Sequence, residues 1–434
     1  MKWGSKHWLV AALILTFLLA ASGCAGKKTA PEIYLDNKEQ DVVISVFAQD
    51  MKIADMINSC CKDVLPIDKG SHVILYSDAA NFYAEEGLSY RELLLKRMES
   101  GQADDLYIIP AEDVLEFDNK GYIYDLSQLK CLENIAEDAL QQSTYDGKVF
   151  SVPLSYTGFG VIWNVDMLKQ YDLDIPTNRA EFWQVCETLK QNGILPYGAN
   201  RDFGLSLPAM CAGLGPLYQD PQAEEILKGL SQGEIAISTY MREGFTVLQT
   251  MIDKGYLNTQ TALDTLPDSE EEIALFREGK CAFITSICRA KAFEYDYPFA
   301  VEMTALPLLE DGAICVAGAG QRLAVNPHSE HLTEALQIVE NLCTIENLNA
   351  FARQLGKTSS ARGNEAATLP QADPLVACMA QGGQIPNQDF KLHFNTWNTI
   401  KELSVKLCQG ASVDEVCQEY DALQFKEIEQ YQDH

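Results

Sequence analysis

The sequence predicts an α/β protein built in two lobes, and three observations point there. Strands and helices alternate through most of the chain, the pattern of a largely parallel sheet with helices on both faces. At 434 residues the chain exceeds the length at which one hydrophobic core usually stops growing, so two lobes are expected. Its 47% apolar and 22% charged residues are ordinary for a globular protein and far from disordered composition.

The first element is a leader. Lys2 and Lys6 precede an apolar run from Trp8 to Ala21, about half a dozen residues short of the roughly 20 that span a bilayer. A basic start, a short apolar centre and small residues at the end make a secretory signal over 1–23. Ala21-Ser22-Gly23-Cys24 resembles the lipobox of bacterial lipoproteins, with Ala21 where that family most often has Leu. The resemblance implies lipidation of Cys24; the alternative is an ordinary signal with a chance cysteine. The polar, aperiodic residues 24–39 read as a flexible tether.

DVVISVFA is a strand, MKIADMINSCCKDVL has apolar residues at helical spacing, and HVILYS is a second strand. LSYRELLLKRMESG is an amphipathic helix ended by Gly101, and DDLYIIP is a third strand. GVIWNVDMLKQY is a strand turning into a helix. RAEFWQVCETLKQNG is a helix stopped at Gly193, before the strand ILPYGAN. ALFREGKCAFITS runs from a helix end into a strand. QRLAVNP is another strand, followed by the helices HLTEALQIVENLCT and ENLNAFARQLG, and the C-terminus is helical from about Asn395.

The formal charge of −29 repels phosphate backbones and anionic head groups, so no nucleic-acid partner is expected. A polyanionic ligand would need a dedicated basic pocket, and none is visible in the sequence. Beyond Cys24 there are twelve cysteines. An even count outside the cell invites disulfides, but the irregular spacing and the apolar settings of Cys186, Cys343 and Cys408 favour free buried thiols for most. His328 and His331 form an i, i+3 pair at a helix start, without a third metal ligand. No GxSxG elbow, HExxH or Walker loop is present. No enzyme, cofactor or metal is expected.

DGKVFSVPLSYTGFGVIWNVDML (146–168) resembles the "DGK-x-[YF]-G-[VI]-P…YN-x-D-[LM]" region of family 1 extracellular solute-binding proteins, the maltose-binding-protein-like receptors of ABC importers. IPTNRAEFWQVCETLKQNGILPYG, FREGKCAFITS, LTEALQIVENLCTIENLNAFARQLG and GQIPNQDFKLHFNTW are similar to later segments of that family, in the same order. The resemblance implies a two-lobed periplasmic-binding-protein-like fold of type II, each lobe a mainly parallel sheet flanked by helices, with the ligand cleft between them. One lobe would hold 40–157 with 318–356, the other 158–317 with 357–434. By resemblance the chain crosses near Tyr156–Phe159, near Ala317–Gln321 and after Gly356. Gly158, Gly160, Gly318 and Gly320 would then ease a hinge; alternatively they mark ordinary turns.

Sugars offer apolar C–H faces and hydroxyls, so aromatic faces and polar side chains are the matching groups. Trp397 falls where the family presents a sugar-stacking aromatic, the alternative being core packing. Trp163 and Trp183 read as core. Loops after strands, where open α/β sheets bind ligands, supply Gln49, Asp50, Glu112, Asn200 and Phe203. The first crossing supplies Tyr156, Thr157 and Phe159. The family often has a sugar-stacking Trp after its "AAM" strand, whereas here Cys288 and Arg289 follow ITSI; a large maltodextrin-like ligand is therefore less expected, the alternative being an anionic group facing Arg289.

The function expected is a lipid-anchored, monomeric receptor on the extracytoplasmic face of a bacterial membrane. It would capture a mono- or oligosaccharide by lobe closure and deliver it to ABC permease subunits. The alternatives are a sensor lipoprotein presenting ligand to a receptor kinase, and an exported carbohydrate-active enzyme.

Overall fold

The computed structural model describes residues 42–49, 51–61, 73–77, 87–363 and 369–432. The leader, Cys24, the tether and Asp50 lie outside the described residues.

β1 (Val42–Phe47), β2 (Val73–Ser77) and β3 (Leu106–Ile109) pair in parallel with β1 in the middle. The helices Met51–Cys61 and Tyr90–Glu99 come between them in sequence. Ser89 caps the second helix with a full capping box, and Gly101 takes the left-handed backbone (φ +69°) just past its end. Asp146 and Gly147, both at positive φ, turn a small hairpin of β4 (Thr144–Tyr145) and β5 (Lys148–Val149).

β6 (Val152–Asn164) is a single 13-residue strand, longer than the expected element that began at Gly160. Asn164 ends it and caps the following short helix by accepting from the Met167 N–H. β7 (Leu195–Tyr197) and β8 (Cys281–Ile287) pair in parallel, and β9 (Val301–Thr304) lies antiparallel on β6. β10 (Leu306–Leu309) turns back on β11 (Gly312–Val325), the second long strand, and β12 (Gln384–Ile385) adds to β11 in parallel. Among the described residues these strands make one sheet in the order β2-β1-β3-β11-β6-β8-β7, with β9, β10 and β12 joined to the two long strands.

The outer strands pair in parallel, as the α/β alternation implies, while the two long strands at the centre run antiparallel. β11 pairs with β3 through Arg322–Val325 and with β6 through Val316–Leu323. β6 then pairs with β8 through Phe159–Trp163. Each long strand therefore belongs to both halves of the molecule. The helix Phe203–Tyr218, which the sequence pattern did not reveal, is buried on nearly every side and holds Pro208 and Pro216. A helix that is apolar all round has no amphipathic period to betray it. Gly213 and Gly244 let Ser238–Asp253 cross it closely.

The central glycines serve neither as turns nor through unusual backbone angles. Gly158, Gly160, Gly318 and Gly320 lie within β6 and β11 and are absent from the positive-φ positions. A Cβ on Gly158 would meet Met379 Sδ at 2.9 Å, and one on Gly160 would meet the Thr304 carbonyl at 2.7 Å. These glycines admit close neighbours. The unusual backbone belongs to Gln321 (φ +50°), a non-glycine residue in a region that costs about 1–2 kcal/mol. Of the ten cysteines whose side chains are described, all are free and eight are buried.

Candidate functional site

The site is built where β6 and β11 run side by side. Side chains alternate across a strand, and the two faces of this pair differ. Leu154, Tyr156 and Ile162 of β6 join Ala317, Ala319, Leu323 and Val325 of β11 in one apolar cluster that spans both halves. On the opposite face, Phe159, Val161, Trp163 and Val316 belong to a second cluster. Ala324 belongs to a third, with Tyr107, Ile109 and Phe150. Between the second and third lies a row outside every apolar cluster: Thr157 opposite Gly318, Ser155 opposite Gly320, and Arg322 opposite Pro153. One face is sealed end to end, and the other is interrupted by polar groups and bare backbone.

Aromatic rings border this row. Phe159 lies 5.5 Å from Phe203, at the start of the helix Phe203–Tyr218, and 5.3 Å from Trp397, at the start of the helix Trp397–Cys408. Phe159 and Phe203 are buried, Trp397 is partly exposed, and Lys401 Nζ stands 5.0 Å over its ring. Gln49 and Glu112 follow β1 and β3, whose parallel pairing (Phe47 with Tyr107) brings both to one edge, and both are exposed.

Tyr156 and Asn200, expected as ligand contacts, are placed in supporting positions instead. Strand alternation turns Tyr156 to the sealed face. There its hydroxyl accepts from Gln142 Nε2 (3.1 Å), and burial first, then the Asp138 charge, pushes its pKa well above the usual range. Asn200 is wholly buried. Its amide donates to Glu272 Oε1 (2.7 Å), and its oxygen accepts from the Asp202 and Gly204 N–H groups (3.1 and 2.9 Å). It thereby shapes the loop that presents Phe203. Burial pushes the Glu272 carboxyl up to about 7 against the lowering hydrogen bonds from Asn200 and the Asp268 N–H.

The sequence reading passed over two cations here. Arg322 is 6% exposed, and burial lowers its pKa to about 10 although Glu112 and Asp389 act to raise it. The signal available was one charge inside the otherwise apolar run LAV of β11. Lys357 follows the helix Ile345–Leu355, which Gly356 ends in the left-handed region. Next along the chain, the Thr358 carbonyl accepts from the Tyr156 N–H (2.9 Å), which ties this segment to the free edge of β6. A Cβ built on Gly320 would lie 2.8 Å from Ser155 Oγ and 3.8 Å from Lys357 Nζ, so the ammonium reaches the polar row. Burial, then repulsion from Arg289, lowers the Lys357 pKa. Among the described residues, no group of three His, Cys, Asp or Glu side chains is placed to hold a metal ion.

A family model described as "Bacterial extracellular solute-binding protein" matches residues 89–377. The chain belongs to that family. It is a binding protein rather than an enzyme, and the family places it outside the cytoplasm. Among its relatives is the multiple sugar-binding protein of Streptococcus mutans, 23% identical over 372 residues that cover 84% of each chain. Apo RafE from Streptococcus pneumoniae superimposes with a TM-score of 0.71 at 15% identity, over 91% of this chain and 100% of RafE. A RafE complex with raffinose gives a TM-score of 0.63 at 15% identity, over 89% of this chain and 100% of the other. The fold of this extracellular solute-binding protein is thus the two-lobed one of periplasmic-binding-protein-like receptors. No helix among the described residues is long and apolar enough to cross a membrane.

Proposed function

We propose that this solute-binding protein captures a sugar between its lobes, closes on it, and delivers it to an ABC permease while held to the membrane by a lipid on Cys24. The observation that carries the reading is the interrupted face of the central strands. A row of polar groups bordered by Phe159, Phe203 and Trp397 matches the hydroxyls and apolar faces of a pyranose ring. The relatives support it: the streptococcal protein is named for multiple sugars, and a RafE was solved with raffinose.

In this reading one lobe comprises 40–157 with 318–356 and the other 158–317 with 357–434, so the long strands are the crossings. Thr157, Phe159, Phe203 and Trp397 line the ligand site, with Gln49 and Glu112 facing it across the cleft. Ligand drives closure only through its greater affinity for the closed form. The test is a thermal-shift screen of the purified chain, since a ligand bound to the native state raises its unfolding temperature by mass action. A shift with at least one saccharide is expected; none across a broad panel of sugars, polyols, amino acids and peptides overturns the reading. For the anchor, Cys24→Ala is expected to release the chain from the membrane fraction.

A further inference from the structure

The polar row carries more positive charge than a neutral sugar needs. The protein has 33 Lys and Arg against 62 Asp and Glu, yet three cations border this row, and Arg289 alone of them is ion-paired, to Asp268. The guanidinium of Arg322 makes no hydrogen bond or ion pair among the described residues, and its buried Nε and Nη2 are both unpartnered. An unpaired guanidinium out of water is strongly unfavourable in a packed interior, so its retention calls for a partner that arrives from outside. Ser155 Oγ, two positions along and fully buried, is unpartnered as well. Lys357 Nζ also lacks a partner among the described residues and sits beside Gly320, next but one to Arg322.

Arg289 completes the band. Ile287 pairs with Phe159 and the Cys288 N–H donates to the Gly158 carbonyl (2.8 Å), so Arg289 comes level with Thr157. Its Nη2 holds Asp268 at 2.5 Å, while its Nε is buried and unpartnered. Two carboxylates lie within electrostatic reach of Arg322. Asp389 is occupied by the Tyr218 hydroxyl (2.8 Å) and the Lys391 N–H (3.0 Å), and Glu112 is exposed to solvent. Neither forms an ion pair with it.

We infer that the ligand is an acidic saccharide, whose carboxylate or phosphate seats on Arg322 with Ser155, Lys357 and Arg289 beside it while its ring meets the aromatic border. This rests on the sugar reading above and narrows it. Guanidinium takes a planar carboxylate or a phosphate edge by paired N–H donors, and the low-dielectric floor strengthens that contact against one made at the surface.

The test is calorimetric titration of the purified full chain with matched probes: digalacturonate against its methyl ester, and glucose 6-phosphate against glucose. An acidic member is expected to bind at least about tenfold more tightly than its neutral counterpart, the advantage shrinking as salt rises. Whether the uronate or the phosphate responds identifies the source of the anion. Arg322→Met is expected to abolish the preference while leaving the ligand-free protein at least as heat-stable, because it removes an unpaired buried charge. Should that variant fail to fold, Lys357→Met, at a partly exposed position, is expected to cut the preference several-fold. Neutral probes binding as tightly as acidic ones, with the ratio unmoved by either variant, would overturn the inference and leave the sugar reading standing. Failure of every saccharide overturns both.

Discussion

Trp397 and Trp183 are both partly exposed and both packed against the same apolar cluster. Their neighbours differ: Trp397 stands beside Phe159 at the row's border, whereas Trp183 rests on Phe182 and Tyr256 of the helical layer. Trp397→Ala is expected to weaken saccharide binding about tenfold or more, a loss of at least about 1.4 kcal/mol; Trp183→Ala is expected to lower the unfolding temperature and leave affinity unchanged. Titration calorimetry and thermal unfolding distinguish them. Glu272 adds a pH signature. Its carboxyl titrates at about 7 in the folded protein against an ordinary 4.5. Between those values the folded state binds the extra proton, so this group makes stability fall as pH rises from about 4.5 to about 7, and nothing further is lost above. The full swing is about 3 kcal/mol at most. Glu272→Gln is expected to flatten the stability slope across that window. The slope is the measure to use, because Gln also forfeits an acceptor for the Asp268 N–H.

Among elements, the close crossing of Phe203–Tyr218 with Ser238–Asp253 and the packing of β6 against β9 depend on missing side chains. A Cβ on Gly244 would land on the Ala209 carbonyl oxygen, and one on Gly160 would press the Thr304 carbonyl at 2.7 Å. Backbone oxygens cannot step aside, so Gly244→Ala and Gly160→Ala are each expected to cost about 1–3 kcal/mol, read as a lower denaturant midpoint. Gly318→Ala is expected to cost less, since it meets the end of the Asn387 side chain, which can rotate away. The helices Tyr90–Glu99 and Arg179–Gln191 were readable from their apolar spacing and from Gly101 and Gly193, which close them in the left-handed region. The helix Phe203–Tyr218 was not, because its burial erases the polar stripe that marks a surface helix.

For the whole molecule, a charge of −29 destabilises the compact state through self-repulsion. Raising ionic strength from about 0.02 to about 0.2 M is expected to raise the unfolding temperature by screening it. A tightly bound acidic ligand would show the opposite salt trend in its affinity, so the two effects are separable on one sample. The free thiols seen in the described core predict that reductant leaves the unfolding temperature unchanged.

What the sequence determined by itself was local. β-Branched runs such as VVISVF, apolar helical spacing and the glycines that close helices depend on neighbours within a few positions, and so does each motif that marked a solute-binding protein. Trp397 and Phe159 were legible as ligand candidates because each stands within such a motif, and Phe203 because it follows a strand. The tertiary structure alone decided which face each candidate occupies. A strand's side chains alternate with a period of two, so Tyr156 and Thr157, adjacent in sequence, part to opposite sides of the sheet, one to the sealed core and one to the polar row. Of the basic set only Arg289 was read from the sequence, for a related reason. Arg289, Arg322 and Lys357 are scattered in the sequence, and only the pairing of β6 with β11, and with the segments along its other edge, brings them to the same region of the sheet.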